Sequence, residues 1–250
     1  MYEIFQPLKL SQIFELTWRL IEKNFKTILY VVGLPLVPFY LIFFIVMLGM
    51  APQMISDPYW YLEMPSWLPF FLVIVVSLYV LAIFLCEAAL VKVVGELCLE
   101  NEVTLQKSYA IIFSKMGPLL WAASLSGLFI FLGFLLFVIP GIIIYLTFFL
   151  VVPIVLLEET RGMEALKRSQ ELMKGEKLKA FFFIFILGAV SGAVDAVLGM
   201  IPVGFVEQFF KMIFHFLFIL FANVGMAIFY FQIKASKEAL NREGLAKLMG

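Results

Sequence analysis

The chain has 250 residues, 64% hydrophobic and 14% charged, against about half and about a quarter in a soluble domain. That apolar surplus, with a mean hydropathy of +1.05, exceeds what one core can hide behind a polar surface. The composition excludes a soluble enzyme, a nucleic-acid binder and a secreted disulfide scaffold, and it specifies an integral membrane protein. Formal net charge is zero, with 18 basic and 18 acidic residues, but their distribution is uneven.

Residues Met1 to Gln6 carry Glu3 and no cation, and no short apolar run with a small-residue cleavage site follows, so no cleavable signal peptide is expected. From Ser11 to Asn24, Ile13, Phe14, Thr17, Trp18 and Ile21 recur at helical spacing, with Glu15, Arg19, Glu22 and Lys23 on the other face. Thr104–Gly117 and Gly162–Gly175 repeat this pattern over the same 13-residue interval. In the last stretch Glu164–Arg168 and Lys167–Glu171 stand at i,i+4, and Gly175 is placed to end the helix in a left-handed turn.

A bilayer core about 30 Å thick needs about 20 apolar helical residues. Six stretches qualify: Thr27–Met50, Leu68–Val91, Pro118–Ile139, Gly141–Leu157, Ala180–Ile201 and Phe209–Gln232. The fold class expected is all-α: a polytopic membrane protein with six transmembrane helices and three amphipathic helices on the cytoplasmic face. Residues 1–250 form one membrane domain, readable as three units (8–91, 102–157 and 160–232), each an interfacial helix followed by a transmembrane hairpin. The distances between unit starts, 93 and 58 residues, are unequal.

Seventeen of the 18 basic residues fall in the N-terminal segment, the second and fourth connections, and the tail. Six spans put all four groups on one side, which the positive-inside rule makes cytoplasmic. The opposite connections, Ala51–Trp67, Pro140–Gly141 and Pro202–Gly204, contain no Lys or Arg. Ala51–Trp67 carries Tyr59, Trp60, Tyr61 and Trp67 and reads as an interface anchor.

Ionisable residues inside spans are functional candidates by default. Glu87, Asp195, Lys211 and His215 qualify, and Glu207, Lys211 and His215 share one face of the sixth span. Asp195 and Lys211 lie at similar distances from the Pro202–Gly204 turn, roughly 9–12 Å along their helices, so a cross-hairpin pair is expected. It reads either as a polar relay or as a structural ion pair. A lone His and two separated cysteines, Cys86 and Cys98, leave no metal site, and no cofactor motif occurs. Gly188 with Gly192, and Ala123 with Gly127, give small-residue faces for helix packing. Pro35, Pro38 and Pro153 should kink or open their spans.

Pro140, Gly141, Pro153, then Glu164, Ala165, Ser169 and Gly175 resemble the hallmark of a family. It is the membrane domain found beside some bacterial glycerophosphoryl diester phosphodiesterases, here without the catalytic barrel. The resemblance implies a stand-alone membrane protein of the bacterial inner membrane. It does not carry over the enzyme, which needs several His and carboxylate ligands. The expected function is therefore non-enzymatic, through membrane lipids (anionic ones included) or a protein partner, in envelope maintenance or resistance to membrane-active peptides. A second copy of the chain is a candidate partner; nucleic acid is not. The alternative is a small-solute or lipid permease using Asp195, Lys211 and His215.

Overall fold

A computed structural model describes residues 8–56, 65–101, 103–201 and 204–249. Among these residues the chain is helical, with no strand. The helices are α1 (Leu10–Lys23), α2 (Phe25–Ser56), α3 (Leu68–Cys98), α4 (Leu105–Ser114), α5 (Met116–Leu136) and α6 (Val138–Thr147). They continue with α7 (Val151–Leu157), α8 (Met163–Met173), α9 (Lys177–Leu198), α10 (Gly204–Glu238) and α11 (Arg242–Met249). Six segments are long and apolar enough to cross a bilayer: Phe25–Val46, Leu68–Cys98, Met116–Leu136, Val138–Leu157, Lys177–Leu198 and Val206–Glu238. The fourth of them is built from α6 and α7. This is an all-α polytopic membrane protein. The Tyr59–Tyr61 aromatics lie outside the described residues.

The packed core lies at the end of the bundle that carries the basic connections. There α10 is buried all round from Val224 to Ala235, α3 from Ala88 to Gly95, and α7 nearly throughout. A helix with no polar face must be enclosed by others, and α1, α3 and α8 pack around α10 at this end. Towards the opposite end, Leu41, Phe70, Val73, Phe131, Leu135 and Phe185 are exposed, as lipid-facing side chains are.

The apolar faces of α1 and α8 are turned into the protein, not towards lipid. Ile13, Leu16, Leu20 and Ile21 of α1 are buried, and Phe14 lies against Phe183 and Phe221. Ala165, Leu166, Leu172 and Met173 of α8 are buried likewise. Neighbouring helices offer close-packed contacts that fluid acyl chains do not match. Only Trp18 and Met163 keep large apolar surface outside on these two helices.

The turn between the third and fourth spans falls at Phe137, not at Pro140–Gly141. Phe137 is extended (φ −165°, ψ 161°), and its carbonyl accepts the Gly141 amide, opening α6. Pro140 thus occupies the first turn of α6, where an amide would have no helical partner. Gly141 instead serves the hairpin crossing: a Cβ at Gly133 would stand 3.1 Å from Gly141 Cα, and one on Gly141 would enter the Phe134 ring.

Pro153 has the same placement in the first turn of α7, and its ring opposes a continuous helix through Phe149. The span breaks at Phe148–Leu150 as a result, and Ser169 of α8 closes the gap. Its Oγ donates to the Thr147 carbonyl at 2.8 Å and accepts the Leu150 amide at 3.3 Å. Ser169 is fully buried, so Ser169→Ala leaves two backbone groups unpaired and is expected to cost about 1–3 kcal/mol. Unfolding of the detergent-solubilised variant measures this; unchanged stability would remove Ser169 from that role.

Candidate functional site

On α10 the helical repeat places Glu207, Lys211 and His215 on one face. Lys211 Nζ donates to Glu207 Oε1 at 2.6 Å, within the helix. Asp195 of α9 reaches His215, with Oδ2 3.4 Å from Nε2. The expected Asp195–Lys211 pair is therefore replaced by two others. Glu207, one turn away on the same helix, engages Lys211 at little conformational cost, and the hairpin register sets His215 opposite Asp195.

His215 Nδ1 lies 2.8 Å from the Lys211 carbonyl, which can only accept, so Nδ1 carries a hydrogen. The Nε2–Asp195 contact is then attractive only when a proton lies between the two groups. Such a proton makes the pair either imidazolium–carboxylate or imidazole–carboxylic acid. Asp195 Oδ1 is buried with no hydrogen-bond partner among the described residues.

Lys211 and His215 also line a groove of about 350 Å³ between α2, α3 and α10. That lies within the range of about 300–1,000 Å³ common for small-ligand sites. Its walls are apolar and aromatic, with Phe39, Tyr40 and Phe43 of α2 facing Val76 and Tyr79 of α3. The Tyr40 and Tyr79 hydroxyls are 3.2 Å apart, and the two rings meet edge to face. Lys211, His215 and Gln208 supply the polar end; Glu207 and Asp195 do not line it. The aromatic wall escapes a sequence reading because the tyrosines sit 39 residues apart. Their one signal is a hydroxyl-bearing ring in each of two apolar spans.

The small-residue faces behave differently from expectation. A Cβ at Gly188, Gly192 or Gly127 would meet nothing within 4 Å, so among the described residues no other helix packs closely there. Ala123 is half-buried, while its neighbour Ala122 is the buried one. Close helix approach occurs instead at Gly225, whose Cβ would stand 2.8 Å from Phe183 and 3.3 Å from Thr17. Of the remaining hallmark residues, Ala165 is buried in the α8 interface and Gly175 takes φ +87° after α8. Glu164 stands in the exposed first turn of α8.

A second polar cluster joins the basic end of the bundle. Glu158 accepts from Lys234 at 2.7 Å, from Tyr230 at 2.9 Å and from Arg168 at 2.7 Å. Arg168 also pairs with Glu238 and lies 3.8 Å from Glu171. Thus Arg168 engages Glu158 and Glu238 in place of the expected Glu164, and Glu171 meets Arg168 in place of Lys167. Burial alone would push the Glu158 carboxyl up, but the hydrogen bonds from Lys234 and Arg168 outweigh it. They hold the carboxyl below the usual carboxylate range.

Other cations at this end satisfy backbone carbonyls. Lys179 reaches Leu8 at 2.6 Å, Lys115 reaches Leu156 at 2.8 Å, Arg242 reaches Leu99 at 3.1 Å, and Lys92 bonds Met249. The last two dock α11 onto α3. Among the described residues no group of three or more His, Cys, Asp or Glu is placed to hold a metal ion. Comparison with family models, with curated proteins and with solved structures gives no match for the chain.

Proposed function

We propose that this multi-pass membrane protein acts without catalysis, by holding an amphiphile with an acceptor-rich head, such as a membrane lipid. The groove between α2, α3 and α10 carries this reading: apolar walls for a chain, and donors at one end for an ester or phosphate oxygen. Glu207 balances the Lys211 charge, so the site offers hydrogen-bond donors more than net positive potential. The basic end faces the cytoplasm of a bacterial inner membrane in this reading, with both termini there and the groove opening towards the outer leaflet. A role in envelope maintenance or resistance to membrane-active peptides would follow from control of a lipid at that depth.

Native mass spectrometry from lipid nanodiscs tests the proposal. Wild type is expected to retain a co-purifying lipid, and Val76→Trp, which fills the groove from α3 and leaves Lys211 and Glu207 in the sequence, is expected to release it. Lys211→Met should weaken retention about tenfold, the loss of one charge-assisted hydrogen bond. Equal retention by wild type and both variants would overturn it.

A proton-coupled permease is the second reading, favoured by the Asp195–His215 geometry. Asp195→Asn removes the carboxylate that faces His215 Nε2 at 3.4 Å. Loss of proton-driven solute uptake with unchanged thermal stability would support this reading, whereas loss of stability alone assigns a structural pair.

A further inference from the structure

Away from the groove, at the basic end, the junction of α4 with α5 meets the loop between α7 and α8. A polar pocket of about 170 Å³ lies there, lined by Ser114, Lys115, Pro118, Val155, Glu159, Thr160 and Arg161. Two cations and the Thr160 side chain line a space large enough for a tetrahedral oxyanion. The Lys115 ammonium spends one donor on the Leu156 carbonyl at 2.8 Å, which fixes it at the pocket wall. Glu159 stands 3.6 Å from it but is 83% exposed, so water screens that pair. Arg161 forms no ion pair among the described residues, leaving its guanidinium free to engage a ligand.

Thr160 supplies the observation that asks for a ligand. Its Oγ1 is buried and has no hydrogen-bond partner among the described residues. A buried hydroxyl without a partner forfeits about 1–3 kcal/mol, which an acceptor in the pocket would restore. The chemistry is that of a donor set: the Thr160 hydroxyl, an ammonium and a guanidinium whose fork matches phosphate oxygens, while the Ser114 hydroxyl already donates to the Ile111 carbonyl at 2.7 Å. A carboxylate would use fewer of these donors, and a neutral ligand would leave the excess positive charge unanswered.

The depth suits a bilayer surface. A Cβ on Gly162 would meet Trp121 Nε1 at 2.9 Å, so the loop that carries Thr160 and Arg161 leans on the Trp121 indole. Trp121 is itself 61% exposed, as interfacial tryptophans are. Pro118 and Val155 form the apolar side of the pocket, where an acyl chain would leave.

We propose that Lys115, Arg161 and Thr160 form a binding site for a phosphate group, as the phosphodiester of an anionic lipid or as free phosphate. The site is separate from the Lys211–His215 groove and stands or falls independently of it.

The test uses the full chain in nanodiscs of phosphatidylcholine doped with phosphatidylglycerol, with inorganic phosphate as a second probe. Wild type is expected to bind phosphatidylglycerol in preference to phosphatidylcholine by native mass spectrometry. Arg161→Gln should weaken that binding about tenfold and Thr160→Val about fivefold, while Val76→Trp leaves it unchanged. Thermal stability of both site variants is measured alongside, because neither side chain holds the fold. Competition by millimolar phosphate, with no lipid preference, would assign the soluble ligand to the same residues. Unchanged binding in both site variants, or no binding of either probe, would overturn the proposal.

Discussion

Glu158→Ala is expected to destabilise the protein by about 3–5 kcal/mol, because it strands buried cations. The Lys234 side chain is 9% exposed and depends on Glu158 at 2.7 Å; its second partner, Glu238, is 3.6 Å away. Arg168 and Tyr230 would lose a partner in the same step. Unfolding in a mixed detergent series measures the loss. Adding Lys234→Met should recover part of it, since an absent pair costs less than a broken one. A loss below about 1 kcal/mol would show the cluster to be well hydrated and dispensable.

The same carboxylate gives a pH dependence. Its folded value is lowered, so its stabilisation is complete above the ordinary carboxylate range. It is lost as the pH falls through the lowered folded value. Wild type should therefore lose stability on acidification across and below the carboxylate range. Glu158→Gln should show a shallower loss, because amide and ammonium do not change charge there.

Gly141→Val is the second large effect expected. The new Cβ would occupy the space of the Phe134 ring, and Gly133→Val would press Ile144 at 2.7 Å and the Gly141 backbone. Overpacking of this kind costs about 1–3 kcal/mol, with the upper part of that range expected here, because backbone must move. Gly127→Val is the matched control on the same helix, since nothing stands within 4 Å of its Cβ. Thermal unfolding of the three variants should separate the first two from the third. Equal behaviour would mean that the α5–α6 hairpin yields without resistance.

Sequence patterns report on what happens within one helix, and they did so here. The composition and the basic connections mark six spans, and the i,i+4,i+8 spacing places Glu207, Lys211 and His215 together. Pro153 signals the opening of its span. What the patterns miss is set between helices. Whether Asp195 meets Lys211 or His215 depends on the hairpin register, and a shift of one turn changes the partner. Ser169 acts on a carbonyl 22 residues away, and nothing local to α8 announces a break in another helix. The short α11 carries no long apolar run; its place is set by Lys92, Arg242 and the fit of Met249 against Gly95. The amphipathic period of α1 and α8 is legible, but periodicity does not say whether lipid or protein receives the apolar face.

Because α10 is the hub of the core, the order of synthesis matters. On α10 the partners of Phe14 and Thr17 of α1 include Phe221 and Gly225, about 200 residues later in the chain. At about 5–20 residues per second, roughly 10–40 s separate the emergence of the two. In that interval the part of the apolar face of α1 that packs on α10 has no protein to cover it. The bilayer surface can shelter it, since an amphipathic helix with that face lies stably at the acyl boundary. On that order of synthesis, α1 is expected to rest on the membrane surface until the last span arrives, and the interfacial position read from the sequence would describe that stage.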